Sequence, residues 1–220
     1  MKNNNQFIYL IFSRTNNKMS RFIRTVTNYE YNHVSIAFSS DLDPMYSFAR
    51  KHKDTPFYGG FVRETPTRFQ NGDTTAKVKI CAIPLSPIQF RIAQNYINKI
   101  SRNGDKYLYN TISAITNPFH RRVNIDYAFT CVEFAVAVLK RIGAPLSNRI
   151  PRFCSIEQLD EIYAPTLIYQ GDLQSSEDTQ GYIDNYLAKN PMNYRVRKTV
   201  SSNARLVGRL CRKLWGKLSI

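Results

Sequence analysis

Six consecutive residues, Phe7-Ile8-Tyr9-Leu10-Ile11-Phe12, are all apolar, aromatic or branched. A strand with one wet face alternates apolar and polar side chains, so an unbroken run reads as a strand buried on both faces. Such a strand needs a packed core, and 43 % of the 220 residues are hydrophobic, an ordinary share for a soluble domain. No apolar run approaches the roughly 20 residues that cross a bilayer. The opening Met1-Lys2-Asn3-Asn4-Asn5-Gln6 leads straight into the strand, without a long apolar stretch and a small-residue cleavage site. No export signal is therefore expected, and the expected location is cytoplasmic.

The pattern predicts an α+β domain over residues 1–175, then a polar linker and a basic amphipathic tail over 176–220. Lys18 to Val26 places Met19, Phe22, Ile23 and Val26 at the spacing of a short amphipathic helix. His33 to Phe38 alternates, Ser39 to Pro44 is rich in turn residues, and Met45 to Arg50 alternates again. That is the signature of an antiparallel hairpin. Gly59-Gly60 lies inside a third strand-like piece, Phe57 to Val62, where glycine leaves room for another backbone to approach. Thr75 to Ile83 sets Ala76, Val78 and Ile80 against Lys77 and Lys79, a fourth strand. Ser86-Pro87-x-Gln89 combines a capping box with proline at the first helical position. It predicts a helix to about Ile100, stopping near Gly104. Tyr107 to Ile115 is a weaker helical segment, Ser155-x-x-Gln158 opens a short helix, Leu167-Ile168-Tyr169 reads as a last strand, and residues 174–190 read as loop.

The chemistry concentrates at Thr130-Cys131-Val132-Glu133. Threonine at the N-cap and glutamate three residues on form a capping box. Cys131 is then the first residue of the most apolar helix in the chain, Cys131 to Ile142, ending at Gly143. Unpaired amides and the dipole at a helix start favour an anion. The thiolate is the reactive form of cysteine, and helix starts favour it. The same amides can hold the oxyanion that forms when a thiolate attacks a carbonyl. Taken alone, Cys131 is better read as a small core residue, because free cysteine is among the most buried types. A base beside it would tip that balance.

Of the three histidines, His52 lies between Lys51 and Lys53, and His120 precedes Arg121 and Arg122, so both read as exposed cations. His33 follows Asn32 and opens a strand. As a base it needs a third group to orient its ring. If the hairpin turn is centred near residues 40 and 41, His33 faces residue 47 or 48, and Ser47 is the polar side chain between Tyr46 and Phe48. Ser47 is the candidate orienter. The plainer readings are an ordinary strand serine and a strand-end histidine satisfied by a backbone bond.

Four segments together resemble a known family. Asn32-His33-Val34-Ser35-Ile36-Ala37, Met45-Tyr46-Ser47-Phe48-Ala49-Arg50, Gly59-Gly60-Phe61-Val62 and Phe129-Thr130-Cys131-Val132-Glu133-Phe134 look like the circularly permuted papain-like proteins. These comprise the NlpC class of cysteine amidases and their lecithin:retinol-acyltransferase-like relatives. In that class the histidine precedes the cysteine, opens a core strand, and faces a helix that starts with the cysteine. The resemblance covers about residues 6–173. It implies a permuted papain-like fold, with an antiparallel sheet packed against the cysteine helix. It also implies thiol chemistry on an acyl group, with Cys131 as nucleophile and His33 as base. Many relatives carry a carboxylate, amide or second histidine as third group, where this chain offers Ser47.

The remaining features bound the partners. Cys81, Cys131, Cys154 and Cys211 form no C-x-x-C pair, so reduced thiols are expected. No histidine has ligand spacing to a cysteine, which argues against zinc; no metal or organic cofactor is expected. The net charge is +15, with eight basic residues beyond position 194 and no acidic residue after Asp184. Such a tail can bind nucleic acid or an anionic membrane, and it equally reads as a solvated tail. Leu206, Leu210, Leu214 and Leu218 recur every four residues with basic residues between them. That predicts an amphipathic helix which, with Trp215, suits an anionic membrane surface and a membrane-peripheral location. No named nucleic-acid motif appears, so nucleic-acid binding is not expected of the core. The leading expectation is a cysteine amidase or peptidase acting on a peptide, amide or acyl-ester substrate. The alternatives are an acyltransferase on lipids, or a weakly catalytic binding protein on the same fold, the latter favoured by Ser47.

Overall fold

The computed structural model of the chain describes residues 6–15, 24–25, 27–55, 57–69, 76–116, 122–173 and 185–218. The apolar run lies within β1, Gln6–Ser13, at the centre of a six-stranded sheet. β1 pairs with β2 (His33–Ala37) on one side and β5 (Lys77–Leu85) on the other. The order is β4-β3-β2-β1-β5-β8, where β3 is Met45–Arg50, β4 is Gly59–Glu64 and β8 is Leu167–Asp172. Every neighbouring pair is antiparallel. Because side chains alternate along a strand, Ile8, Leu10 and Phe12 enter one core while Tyr9 and Ile11 enter another on the opposite face. The mixed α+β class and the doubly buried strand are both as the sequence implies.

Two helices cover the first face. α1, Pro87–Arg102, packs against β1, and the short α2, Thr111–Thr116, follows it in the chain. α3, Cys131–Arg141, lies across β2 and β3. α4 is Ile156–Tyr163. The capping boxes expected for α1 and α3 form, and the short helix expected after Ser155, α4, opens on a third, each with a side-chain oxygen on the N3 amide and the N3 side chain on the cap amide. The segment expected as a helix over Tyr107–Ile115 divides instead. Leu108–Tyr109 forms β6, in parallel register with β7 (Ala128–Phe129), and α2 starts only at Thr111. The helix expected over Lys18–Val26 lies for the most part outside the described residues, as do His120 and residues 174–184.

The paired glycines admit this β6 segment. A methyl group on Gly59 would lie 2.6 Å from the Ala49 carbonyl oxygen and 2.7 Å from Tyr109 Cβ, and one on Gly60 would lie 3.0 Å from the Tyr107 carbonyl oxygen. Both flanking groups are backbone or backbone-attached, so neither can swing aside. Gly59→Ala is therefore expected to destabilise the fold by ~1–3 kcal/mol, the usual cost of overpacking. The check is a denaturant titration; an unchanged midpoint would show that β6 does not press on β4.

The basic tail is a single long helix, α5, Met192–Leu218. It packs on β6, β7 and α2 through Leu206, with Leu210 partly buried beside it. Asn203 bonds both Thr111 Oγ1 (2.8 Å) and the Phe57 carbonyl (2.9 Å). Leu214, expected on the same face as Leu206 and Leu210, is exposed. A four-residue step on an α-helix turns the side chain by about 40° more than a full turn, so a row of such leucines spirals away from a flat support.

Candidate active site

Cys131 is the first residue of α3, as its capping box requires. Thr130 Oγ1 accepts the Glu133 amide at 3.3 Å, and Glu133 Oε2 accepts the Thr130 amide at 2.8 Å. Glu133 is itself held by Arg122 at 2.8 Å. The Thr130 carbonyl takes the Phe134 amide. The amides of Cys131 and Val132, in the first turn, have no helical acceptor. The thiol is almost fully buried.

His33 opens β2, and two features fix it there. Asn32, just before it, ties the strand to the end of β1: its amide donates to the Ser13 carbonyl and its Oδ1 accepts the Thr15 amide at 3.0 Å. Phe69 then backs the ring, with centroids 6.0 Å apart. The Cys131 thiol lies close enough to the imidazole to raise its proton affinity. The two residues singled out in the sequence thus meet.

The third group is Glu64, not Ser47. Glu64 Oε2 and Oε1 lie 3.0 and 3.2 Å from His33 Nε2. Ser35, two residues along β2 and so on the same face as His33, donates to Glu64 Oε2 at 2.6 Å and lies 3.2 Å from the same ring nitrogen. Arg68, four residues on, completes the set with Nε 3.4 Å from Glu64 Oε1. Ser47 instead donates to the Val34 carbonyl at 2.9 Å. The physical reason is the register of the hairpin. The Leu42 amide closes a turn on the Ser39 carbonyl, and the strands pair Ile36 with Tyr46 and Ala37 with Met45. That register projects His33 toward residue 49. The β2–β3 ladder has only those two pairs, and the Ser47 hydroxyl supplies the bond that Val34 lacks.

Electrostatics follow from this packing. Burial alone would lower the proton affinity of His33; the Glu64 carboxylate and the Cys131 thiol outweigh it and raise the imidazole pKa to about 10. Burial alone would raise the Glu64 carboxyl; the charge and hydrogen bond of His33, then Arg68 and Ser35, hold it below the ordinary carboxylate range. Around neutral pH the pair is an imidazolium and a carboxylate. Tyr109, whose phenol is pushed up by burial and then by Cys131, stays neutral beside them.

Arg68 is covered in turn by a segment from the far end of the chain. Its guanidinium lies 4.1 Å from the Tyr186 ring centroid, and it donates to the Arg50 carbonyl. Arg50 donates to the Tyr186 hydroxyl at 2.7 Å, and the Lys53 amide donates to the Tyr186 carbonyl at 2.8 Å. His52, expected as an exposed cation, is half-buried between the rings of Tyr58 and Tyr194.

No family model, no curated protein and no solved structure matches this chain.

Proposed function

We propose that this chain is a thiol hydrolase that opens an amide or ester bond through an acyl–Cys131 intermediate, on the permuted papain-like framework its sequence resembles. The observation that carries this reading is one buried line: the Cys131 thiol beside the His33 imidazole, and that imidazole bonded to buried Glu64. Nucleophile, base and orienting group are what acyl transfer by a cysteine requires. The order His33, Glu64, Cys131 along the chain, with an antiparallel sheet against the cysteine helix, supports the same kinship.

Nε2 of His33 is engaged by Glu64 and Ser35, which leaves Nδ1 to face the thiol. His33 enters the reaction as the imidazolium, holding the proton that the Cys131 sulfur has given up. Sulfur attacks the carbonyl carbon, and the oxyanion sits against the first-turn amides of Cys131 and Val132. The imidazolium then protonates the leaving amine or alkoxide as the C–N or C–O bond breaks. Neutral His33 next removes a proton from water, whose oxygen attacks the thioester, and the acid leaves as sulfur regains its starting state. Glu64 keeps the ring in one orientation throughout. A third group as weak as serine favoured a fold without turnover; a buried carboxylate in that role supports turnover.

Incubation with p-nitrophenyl acetate tests this reading. Expected are a burst of p-nitrophenol and an acetyl group mapped to Cys131 by mass spectrometry. Both should be lost in Cys131→Ala, and the adduct should decay in buffer alone. An adduct that persists until an alcohol or amine is added would assign acyl transfer instead. Acetylation confined to Cys211, the exposed thiol, would end the proposal.

A further inference from the structure

Five apolar residues of α5 point to solvent: Met192, Val196, Val200, Val207 and Leu214, each about half exposed or more. At about 100° per residue they fall within an arc of roughly 80°, along nearly the whole helix. Leu210, at the body-facing edge of that arc, and Leu206, about 40° beyond the edge, are the ones packed. Trp215 adds an indole that is 76 % exposed. The helix contains eight basic residues and no acidic one. Arg205, Arg209 and Lys213 hold the helix to the body through the Asp105 carbonyl, the Lys106 and Tyr127 carbonyls and the Asp126 carboxylate. Arg197 and Arg212 are exposed.

We infer that α5 docks on an anionic phospholipid surface, lying flat with this stripe in the headgroup layer and the folded body above it. Charge chooses the occupant. A second copy of the chain would bring another wholly basic helix against this one, and like charges would repel. A nucleic acid would satisfy the arginines and leave five aliphatic side chains and an indole in water. A lipid surface with anionic headgroups accepts both halves: the aliphatic stripe enters the acyl boundary, the indole takes its favoured interfacial position, and the arginines meet phosphate. No helix among the described residues is long and apolar enough to cross a membrane, so the contact is peripheral. The inference is independent of the thiol chemistry.

Trp215 is the chain's only tryptophan, so its fluorescence reports this face alone. The full chain is mixed with vesicles of phosphatidylcholine, or of phosphatidylcholine with phosphatidylglycerol, and with duplex DNA. Expected are flotation with the phosphatidylglycerol vesicles, a blue shift of the emission, and binding at least tenfold weaker to phosphatidylcholine alone. Val200→Asp with Val207→Asp touches no buried side chain and should weaken vesicle binding by tenfold or more at an unchanged melting temperature. Arg197→Glu with Arg212→Glu should weaken it comparably, since each basic residue near such a surface contributes appreciably. Retention on DNA with an unshifted emission would overturn the inference. So would vesicle binding indifferent to the two valines, or a dimer that the valine changes dissolve.

Discussion

At pH 6, Cys131 is expected to react with iodoacetamide at least tenfold faster than the same thiol in the unfolded chain, and His33→Ala is expected to abolish the difference. The background is small for a structural reason. Burial pushes the Cys81 thiol up to about 11 and the Cys154 thiol up to about 12, so neither supplies thiolate at that pH. Cys211 is exposed and is removed by Cys211→Ala. What remains is a thiol at a helix start beside an imidazole that keeps its proton up to about 10. Only the thiolate attacks carbon at a useful rate, and helix starts and cationic neighbours are the settings in which reactive cysteines are found. The gap between native chain and His33→Ala should therefore span neutral pH and close as pH approaches 10, where His33 loses its charge. If the native chain reacts no faster than the unfolded one, and His33→Ala changes nothing, Cys131 is a core residue and the hydrolase reading fails.

Glu64→Ala is expected to cost about 3–5 kcal/mol, the usual penalty for removing one partner of a buried ion pair. It removes the carboxylate that lies between His33 and Arg68, whose side chains are only 11 % and 5 % exposed. Glu64→Gln keeps the shape and removes the charge, and it separates electrostatics from packing. The pH dependence has a definite sign. His33 binds its proton more tightly folded than unfolded, so its contribution is complete below about 6.5 and is lost as pH rises through about 10. Glu64 has the opposite sign: its contribution is present above about 4.3, the unfolded value, and is lost as pH falls below it. Native melting temperature should fall between pH 7 and pH 10, and Glu64→Gln should flatten that slope while lowering the value at pH 7. Parallel profiles for the two proteins would mean that the pair is not ionised.

Three local signals made most of the site readable. The Thr-x-x-Glu spacing put Cys131 at a helix start before any tertiary contact was known, because a capping box is satisfied within four residues. The alternation after His33 put that residue on a core strand. The doubly apolar run put β1 at the sheet centre. Glu64 escaped because it sits in Arg63-Glu64-Thr65-Pro66, which reads as a charged, solvated strand end. Its partners Ser35 and Arg68 are recruited by folding. One signal was present: continuing the two-residue period from Gly60 through Val62 reaches Glu64, an acid in line with core-facing positions. Ser47 misled because a register error of one or two residues changes which side chain faces His33. The turn that sets that register, with Leu42 at φ 59°, has no glycine or asparagine to announce it. β6 and β7 are two residues each, too short for any periodicity.

The covering of Arg68 by Tyr186 also bears on the order in which the protein is made. Arg50 and Tyr186, the two residues that clasp over Arg68, are separated by 136 positions. At a synthesis rate of about 5–20 residues per second, Tyr186 leaves the peptidyl-transferase centre roughly 7–27 s after Arg50. During that interval His33, Glu64 and Cys131 have all been translated, while the lid over the arginine that steadies the carboxylate has not. The arginine that steadies Glu64 thus gains its cover only after His33, Glu64 and Cys131 have all been made.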